Sequence, residues 1–146
     1  MSDAPQAFEI SIAVDSADID GLGHVNNVIY LRWVQDVAIA HWRAAARVMD
    51  QEKLRWIVVR HEIDYKQAAR LGDTVLARTW VGTATGIKFD RHTELLRAGD
   101  GALLARARTV WCPIDAVTGK LTNVSAEVRA VFSVAEARKP AADERG

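Results

Sequence analysis

Cys112 is the only cysteine in the 146 residues. That rules out an intramolecular disulfide and a cysteine-rich zinc site, and it points to a reducing, cytoplasmic setting. Net charge is missing too, because 19 Lys+Arg balance 19 Asp+Glu. The chain therefore has no basic footprint for nucleic acid and no polybasic signal for an anionic membrane. No stretch approaches the ~20 apolar residues of a membrane-spanning helix. The opening Met1-Ser2-Asp3-Ala4-Pro5-Gln6 lacks the basic and apolar regions of a signal peptide. Nor is there an internal repeat, or a Pro-, Gly- or Ser-rich linker. What remains is an ordinary globular composition, 49% hydrophobic and 26% charged. We expect a single domain over 1–146, its ordered core at about 8–132 and its termini loose. So little net charge leaves copies free to associate, which favours a homo-oligomer.

Residues 8–14 alternate apolar and polar side chains, which predicts a half-buried strand. After a polar loop at 15–27, residues 28–49 contain neither Gly nor Pro and predict a long helix. Arg32, Asp36, Arg43 and Arg47 share one polar stripe of about 120°, and apolar side chains cover the rest of the circumference. A single flat contact would not bury such a helix. The period then changes to two. In 55–66, Ile57, Val59, Ile63 and Tyr65 are predicted on one face, with Arg60, Glu62, Asp64 and Lys66 on the other. Further strands are predicted at 74–81 and 87–97, separated by a break at 82–86. Ala98-Gly99-Asp100-Gly101 signals a hairpin. The strand after it points Leu103, Ala105, Ala107, Thr109 and Trp111 inward, with Arg106 and Arg108 outward. A turn at 115–120 and a cap at Ser125 precede a short helix through Phe132. One helix followed by about four strands predicts an α+β domain, a largely antiparallel sheet curled around the long helix.

Chemistry concentrates just before that helix, in Asp18-Ile19-Asp20-Gly21-Leu22-Gly23-His24-Val25-Asn26-Asn27. Asn26 or Asn27 suits the helix N-cap, and the unpaired N–H groups of the first turn form a place for an oxyanion. A carboxylate on a glycine-flexed loop beside that helix end is the pairing that acyl hydrolysis requires. The same composition also makes a plain turn plus a cap, and His24 alone is often just a hydrogen-bonded loop histidine. Asp18, Asp20 and His24 lack a fourth partner for a metal. Gly21-x-Gly23 lacks the third glycine of a dinucleotide loop. Cys112 beside Trp111 reads as a plain buried thiol.

Asp20-x-x-Gly23-His24-Val25-Asn26-Asn27-x-x-Tyr30, followed by Ile63-Asp64-Tyr65 and Leu71-Gly72-Asp73, resembles the hotdog-fold acyl-CoA thioesterases of the 4-hydroxybenzoyl-CoA thioesterase type. The resemblance covers about 8–132 and implies the hotdog fold, a long central helix wrapped by a curved antiparallel sheet. It implies hydrolysis of an acyl thioester of CoA or an acyl-carrier protein by a homodimer or homotetramer, with CoA entering only as part of the substrate. By position, Asp20 matches the family's catalytic carboxylate, acting as nucleophile or general base. The backbone N–H near Asn27 matches its oxyanion donor, and His24 and Asn26 match polar motif positions. The family's nucleotide tail lies near the turn between the two middle strands. Here that turn offers Thr85, Gly86 and Lys88, with Arg91 further on; Lys88 and Arg91 read equally as a solvated strand face. Tyr30, Trp33 and Val34 read as an acyl-pocket lining or as core. Asp18 is the competing carboxylate. Two other readings remain, a non-catalytic acyl-thioester binding module and a hotdog hydratase or dehydratase.

Overall fold

The alternation predicted for the first segment becomes strand β1 (Phe8–Ala13), with Phe8, Ile10 and Ile12 turned toward the interior. The computed structural model describes residues 7–132, so the segments 1–6 and 135–146 expected to be loose lie outside the described residues. After a 3-10 turn at Ser16–Asp18 come helices α1 (Asn27–Ala45) and α2 (Val48–Lys53). Strands β2 (Leu54–Tyr65), β3 (Thr74–Thr85), β4 (Lys88–Arg97) and β5 (Leu103–Asp115) follow, then helix α3 (Ala126–Phe132). The strands form one antiparallel sheet in the order β1-β3-β4-β5-β2. Helix α1 lies on its inner face. Tyr30, Trp33, Val34 and Val37 pack into one cluster with Val75, Ala77, Leu95, Ala105 and Ala107. The expected α+β arrangement is the one observed, and small residues on β3 and β5 let the helix approach the sheet closely.

Three local expectations need correction. The helix predicted to run through Met49 ends at Ala45, because Ala46 is extended and the chain restarts as α2. Gln51 Nε2 donates to the Arg43 and Ala46 carbonyls, satisfying acceptors that a continuing helix would have used. In β2 the register shifts between Val58 and Arg60. The extra residue inverts the face, so Trp56 and Val58 point inward while Ile57 and Val59 are 40% and 52% exposed. Ile63 stays against the core, as predicted. The break at 82–86 shrinks to a bulge at Gly82 and a tight turn at Gly86–Ile87. A Cβ at Gly82 would lie 2.7 Å from His92 Nε2, so a side chain there would force His92 aside.

Arg91 also departs from the solvated-face reading. It follows Phe89 and precedes Thr93 and Leu95 on the inner face of β4 and is 5% exposed. Its Nη1 donates to His41 Nδ1 at 3.0 Å and to Thr79 Oγ1 at 3.1 Å. Burial pulls its pKa down to about 9, so it remains a cation at neutral pH. His41, stacked on Phe8 and edge-on to Phe132, is held down to about 4 by burial and then by the Arg91 charge. An unfolded chain takes that proton near 6.5, whereas the folded one resists it to about 4. Stability is therefore complete above pH 6.5 and falls as pH drops through this window. His61 and His92 shift in the same direction, so the share of His41 is isolated by comparing native protein with His41→Gln. We expect the melting temperature to fall more steeply for the native chain between pH 6.5 and 4. Parallel curves in circular dichroism melts would refute the role given to His41.

Candidate functional site

The loop before α1 is folded by its own backbone. Ile19 and Val25 form an antiparallel bridge, Asp20 N–H donates to the His24 carbonyl at 2.8 Å, and Gly23 N–H donates to the Asp20 carbonyl at 3.1 Å. Gly23 has φ +81°, a conformation that costs other residues and suits glycine. Val25 N–H donates to the Ala69 carbonyl and Asn26 N–H to that of Asp18, which pins the loop to the sheet side and to the 3-10 turn. The expected N-cap is Asn26, whose side-chain oxygen accepts from Val28 N–H at 3.1 Å.

The two candidate carboxylates separate cleanly. Asp18 is 4% exposed. It accepts from Arg32 Nη2 at 2.9 Å and from Asp15 N–H at 3.0 Å, closing a capping box on the 3-10 turn. Both of its oxygens serve the fold. Asp20 is half-buried, and its Oδ1 accepts from Leu22 N–H at 2.8 Å and His24 N–H at 3.3 Å, while Oδ2 makes no hydrogen bond among the described residues. One oxygen orients the group and the other stays available.

Asp20 lines a cleft of about 420 Å³ together with Leu22, His24, Val25, Asn26, Asn27, Tyr30 and residues 65–68. Asn27 begins α1, and its N–H has no acceptor among the described residues. The cleft therefore joins a free carboxylate oxygen to an uncapped helix N–H, the negative and positive elements the motif suggested. His24 sits beside them, its Nε2 3.5 Å from Arg70 Nη2. The expected site residues Asp20, His24, Asn26, Asn27 and Tyr30 are brought together. Among the described residues no group of His, Cys, Asp and Glu is arranged to hold a metal ion.

Tyr30 lines the cleft mainly as a structural element. It is 2% exposed, packs against Trp33 and Tyr65, and its hydroxyl accepts from Ala69 N–H at 2.8 Å. Trp33 and Val34, each 1% exposed, are core. Tyr30→Phe strands a buried N–H on the cleft wall, and we expect it to cost about 1–3 kcal/mol of stability. Urea titration measures this, and an unchanged midpoint would exclude the bond as a support. Sequence reasoning did not find the opposite wall, made by Tyr65, Lys66, Gln67 and Ala68 at the end of β2. Tyr65 donates to the Asn27 carbonyl at 3.3 Å, and Arg97 Nη2 donates to the Ala68 carbonyl at 3.0 Å. Nothing in the local pattern marks these residues; the pairing of β2 with β5 delivers them.

Thr85, Gly86 and Lys88 are not brought to this cleft. They are exposed on the β3–β4 hairpin, where Arg129 Nη2 of α3 donates to the Gly86 carbonyl at 2.8 Å. The loop meets β3 at its other end, through Val14 N–H on the Asp73 carbonyl. The hairpin is thus about 36 Å away along the strand at ~3.3 Å per residue.

The thioesterase-like superfamily model matches residues 14–132. Among curated proteins, a chloroplastic palmitoyl-acyl carrier protein thioesterase of Gossypium hirsutum is 28% identical over 105 residues, 66% of this chain and 25% of that protein. The chain thus spans about a quarter of the length of this relative. Among solved structures, Slr0204, a 1,4-dihydroxy-2-naphthoyl-CoA thioesterase from Synechocystis, superposes with a TM-score of 0.74 at 22% identity, covering 86% of this chain and 95% of that one. The protein SAV2348 from Staphylococcus aureus, solved in complex with CoA, gives 0.79 at 16% identity over 95% and 90% of the two chains. These likenesses show the hotdog fold. With the family match spanning the motif loop, α1 and the whole described sheet after β1, this chain belongs to the thioesterase-like superfamily.

Proposed function

We propose that the chain hydrolyses acyl thioesters of CoA or of an acyl-carrier protein. The observation that carries this reading is the cleft itself, where the unengaged Oδ2 of Asp20 shares a wall with the uncapped N–H of Asn27. The substrate carbonyl oxygen lies toward the helix N-terminus, where the Asn27 N–H and the helix dipole stabilise the charge of the tetrahedral intermediate. Asp20 attacks the carbonyl carbon directly, forming an anhydride that a water hydrolyses once the thiolate has left, or takes a proton from the water that attacks. The C–S bond then breaks and the sulfur departs with its electron pair. A thiol has a pKa of about 8.5, so it leaves as thiolate with little help from a general acid, unlike an amine. That is why so sparse a site suffices. His24, on the same loop, orients the carboxylate or handles the proton. The bond chemistry asks for no metal or redox group, and CoA enters as part of the substrate.

The names of the relatives support both carrier types, an acyl-carrier protein in the cotton enzyme and CoA in the two structures. The distance from the cleft to Thr85, Gly86 and Lys88 favours a homodimer or homotetramer, in which one copy's hairpin serves the nucleotide tail bound at another copy's cleft. Among the described residues no helix is long and apolar enough to cross a membrane, and we place the enzyme in the cytoplasm. The test is thiol release from short, long and aromatic acyl-CoAs and from an acyl-carrier protein, with the mass measured by light scattering. Turnover on at least one class supports the reading. An inert protein that still binds acyl-CoA would turn it into a binding module, and hydration of an enoyl-CoA without thiol release would make it a hydratase.

A further inference from the structure

A second cavity, of about 570 Å³, lies between the C-terminal half of α1, α2, the sheet and Phe132 of α3. It shares no residue with the Asp20 cleft. Trp42 on its wall is twelve residues beyond Tyr30, about 18 Å along α1 at ~1.5 Å per residue. The wall is aromatic: Trp56 meets Phe89 at 5.0 Å and Trp42 at 5.4 Å between ring centroids, and Phe132 lies 6.0 Å from Trp56. Arg43, Glu52 and Arg55 are on its exposed side.

The buried polar groups of this cavity are donors. Arg91 stands over the Phe132 ring at 5.3 Å, and among the described residues no carboxylate pairs with it. Its Nη1 is hydrogen-bonded to His41 and Thr79, and among the described residues Nε and Nη2 have no acceptor. On two lining residues, Trp56 Nε1 and Trp111 Nε1 are buried without an acceptor among the described residues. Unanswered buried donors and an unpaired buried cation are each unfavourable for folding, and a bound ligand that answers them offsets that cost. A buried cation beside an aromatic chamber suits an oxyanion carried on an apolar body. The volume lies within the roughly 300–1,000 Å³ of small-molecule sites.

We propose that this cavity binds a carboxylate with a medium-length apolar body, the carboxylate on Arg91 and the body among Trp42, Trp56 and Phe132. The inference does not depend on the hydrolysis reading, because binding is measured without turnover. Calorimetric titration of the full chain compares decanoate with decanol, which matches its body but lacks the charge. Decanoate is expected to bind at least about tenfold more tightly. Arg91→Met removes that preference, Trp56→Ala weakens decanoate and decanol to a similar extent by removing part of the apolar wall, and Asp20→Asn changes neither affinity. Equal affinity for decanoate and decanol overturns the proposal, as does undiminished decanoate binding by Arg91→Met, or its loss in Asp20→Asn. If Arg91→Met does not fold, the native decanoate-to-decanol ratio decides. Two sources of the carboxylate are told apart by titrating decanedioyl-CoA and decanoyl-CoA. A preference for decanedioyl-CoA that depends on Arg91 identifies the far end of an acyl thioester, and no preference identifies a free acid.

Discussion

Replacing Asp20 by asparagine is expected to lower kcat for thioester hydrolysis by about 10²–10⁴-fold, the range for removal of a positioned general base. The variant should stay folded with its substrate affinity nearly intact. The reason lies in how the two oxygens are used. Oδ1 is an acceptor for Leu22 and His24 N–H, a role that an amide oxygen fills equally well. Oδ2 is the unengaged atom, and exchanging it for NH₂ removes the lone pair that attacks carbon or takes a proton from water. Stopped thiol release with unchanged binding of a non-hydrolysable acyl-CoA analogue is the expected pair of results. Asp18→Asn should behave in the opposite way. It weakens the buried contacts to Arg32 and Asp15 and lowers the melting temperature, yet leaves kcat nearly unchanged. Full activity in Asp20→Asn, or collapse of activity in Asp18→Asn alone, would reassign the catalytic carboxylate.

The largest expected effect on stability is that of Trp33→Ala. Trp33 is 1% exposed and joins α1 to the inner face of the sheet in the same cluster as Tyr30, Val34 and Val75. Truncation removes the transfer energy of the indole and leaves a cavity that the sheet cannot fill, at a cost of about 3–5 kcal/mol. Against a typical total of roughly 5–15 kcal/mol this is a large share. We expect a fall in melting temperature of about 10 °C or more. The cleft opens on the same helix, so turnover should vanish at temperatures the native enzyme tolerates. A loss below about 1 kcal/mol would mean that the helix is not held by this side chain.

The existence and type of most elements, the antiparallel α+β plan and the position of the polar loop before α1 were legible in the residues, and the causes are local. Alternation in 8–14 and 105–111 directs side chains to one face (at 103–104 a register shift against β4 buries Leu104 rather than the expected Leu103), the absence of Gly and Pro supports the long helix, and Asn26 caps it through a bond two residues long. The motif's register favours Asp20 over Asp18 as the reacting carboxylate, and the bonding of both Asp18 oxygens to Arg32 and Asp15 supports that proposal. Elsewhere, long-range pairing decided. The bulge at Val59 depends on how β2 meets β5, and one extra residue there moved Ile57 and Val59 to the surface and brought Trp56 and Val58 inside. Period-two reasoning cannot see an insertion whose cause is another strand.

By itself the amino-acid order determined most secondary elements, the helix cap and the run of polar residues and glycines before α1, because these follow from contacts within a few positions. Only the tertiary structure decided that residues 65–68 close the cleft, that Thr85 and Lys88 stand at the far end of the sheet, and that Arg91 lies inside against His41. Each of these is fixed by which strands lie side by side, and strand pairing is set by burial summed over the whole chain, a quantity no short window contains.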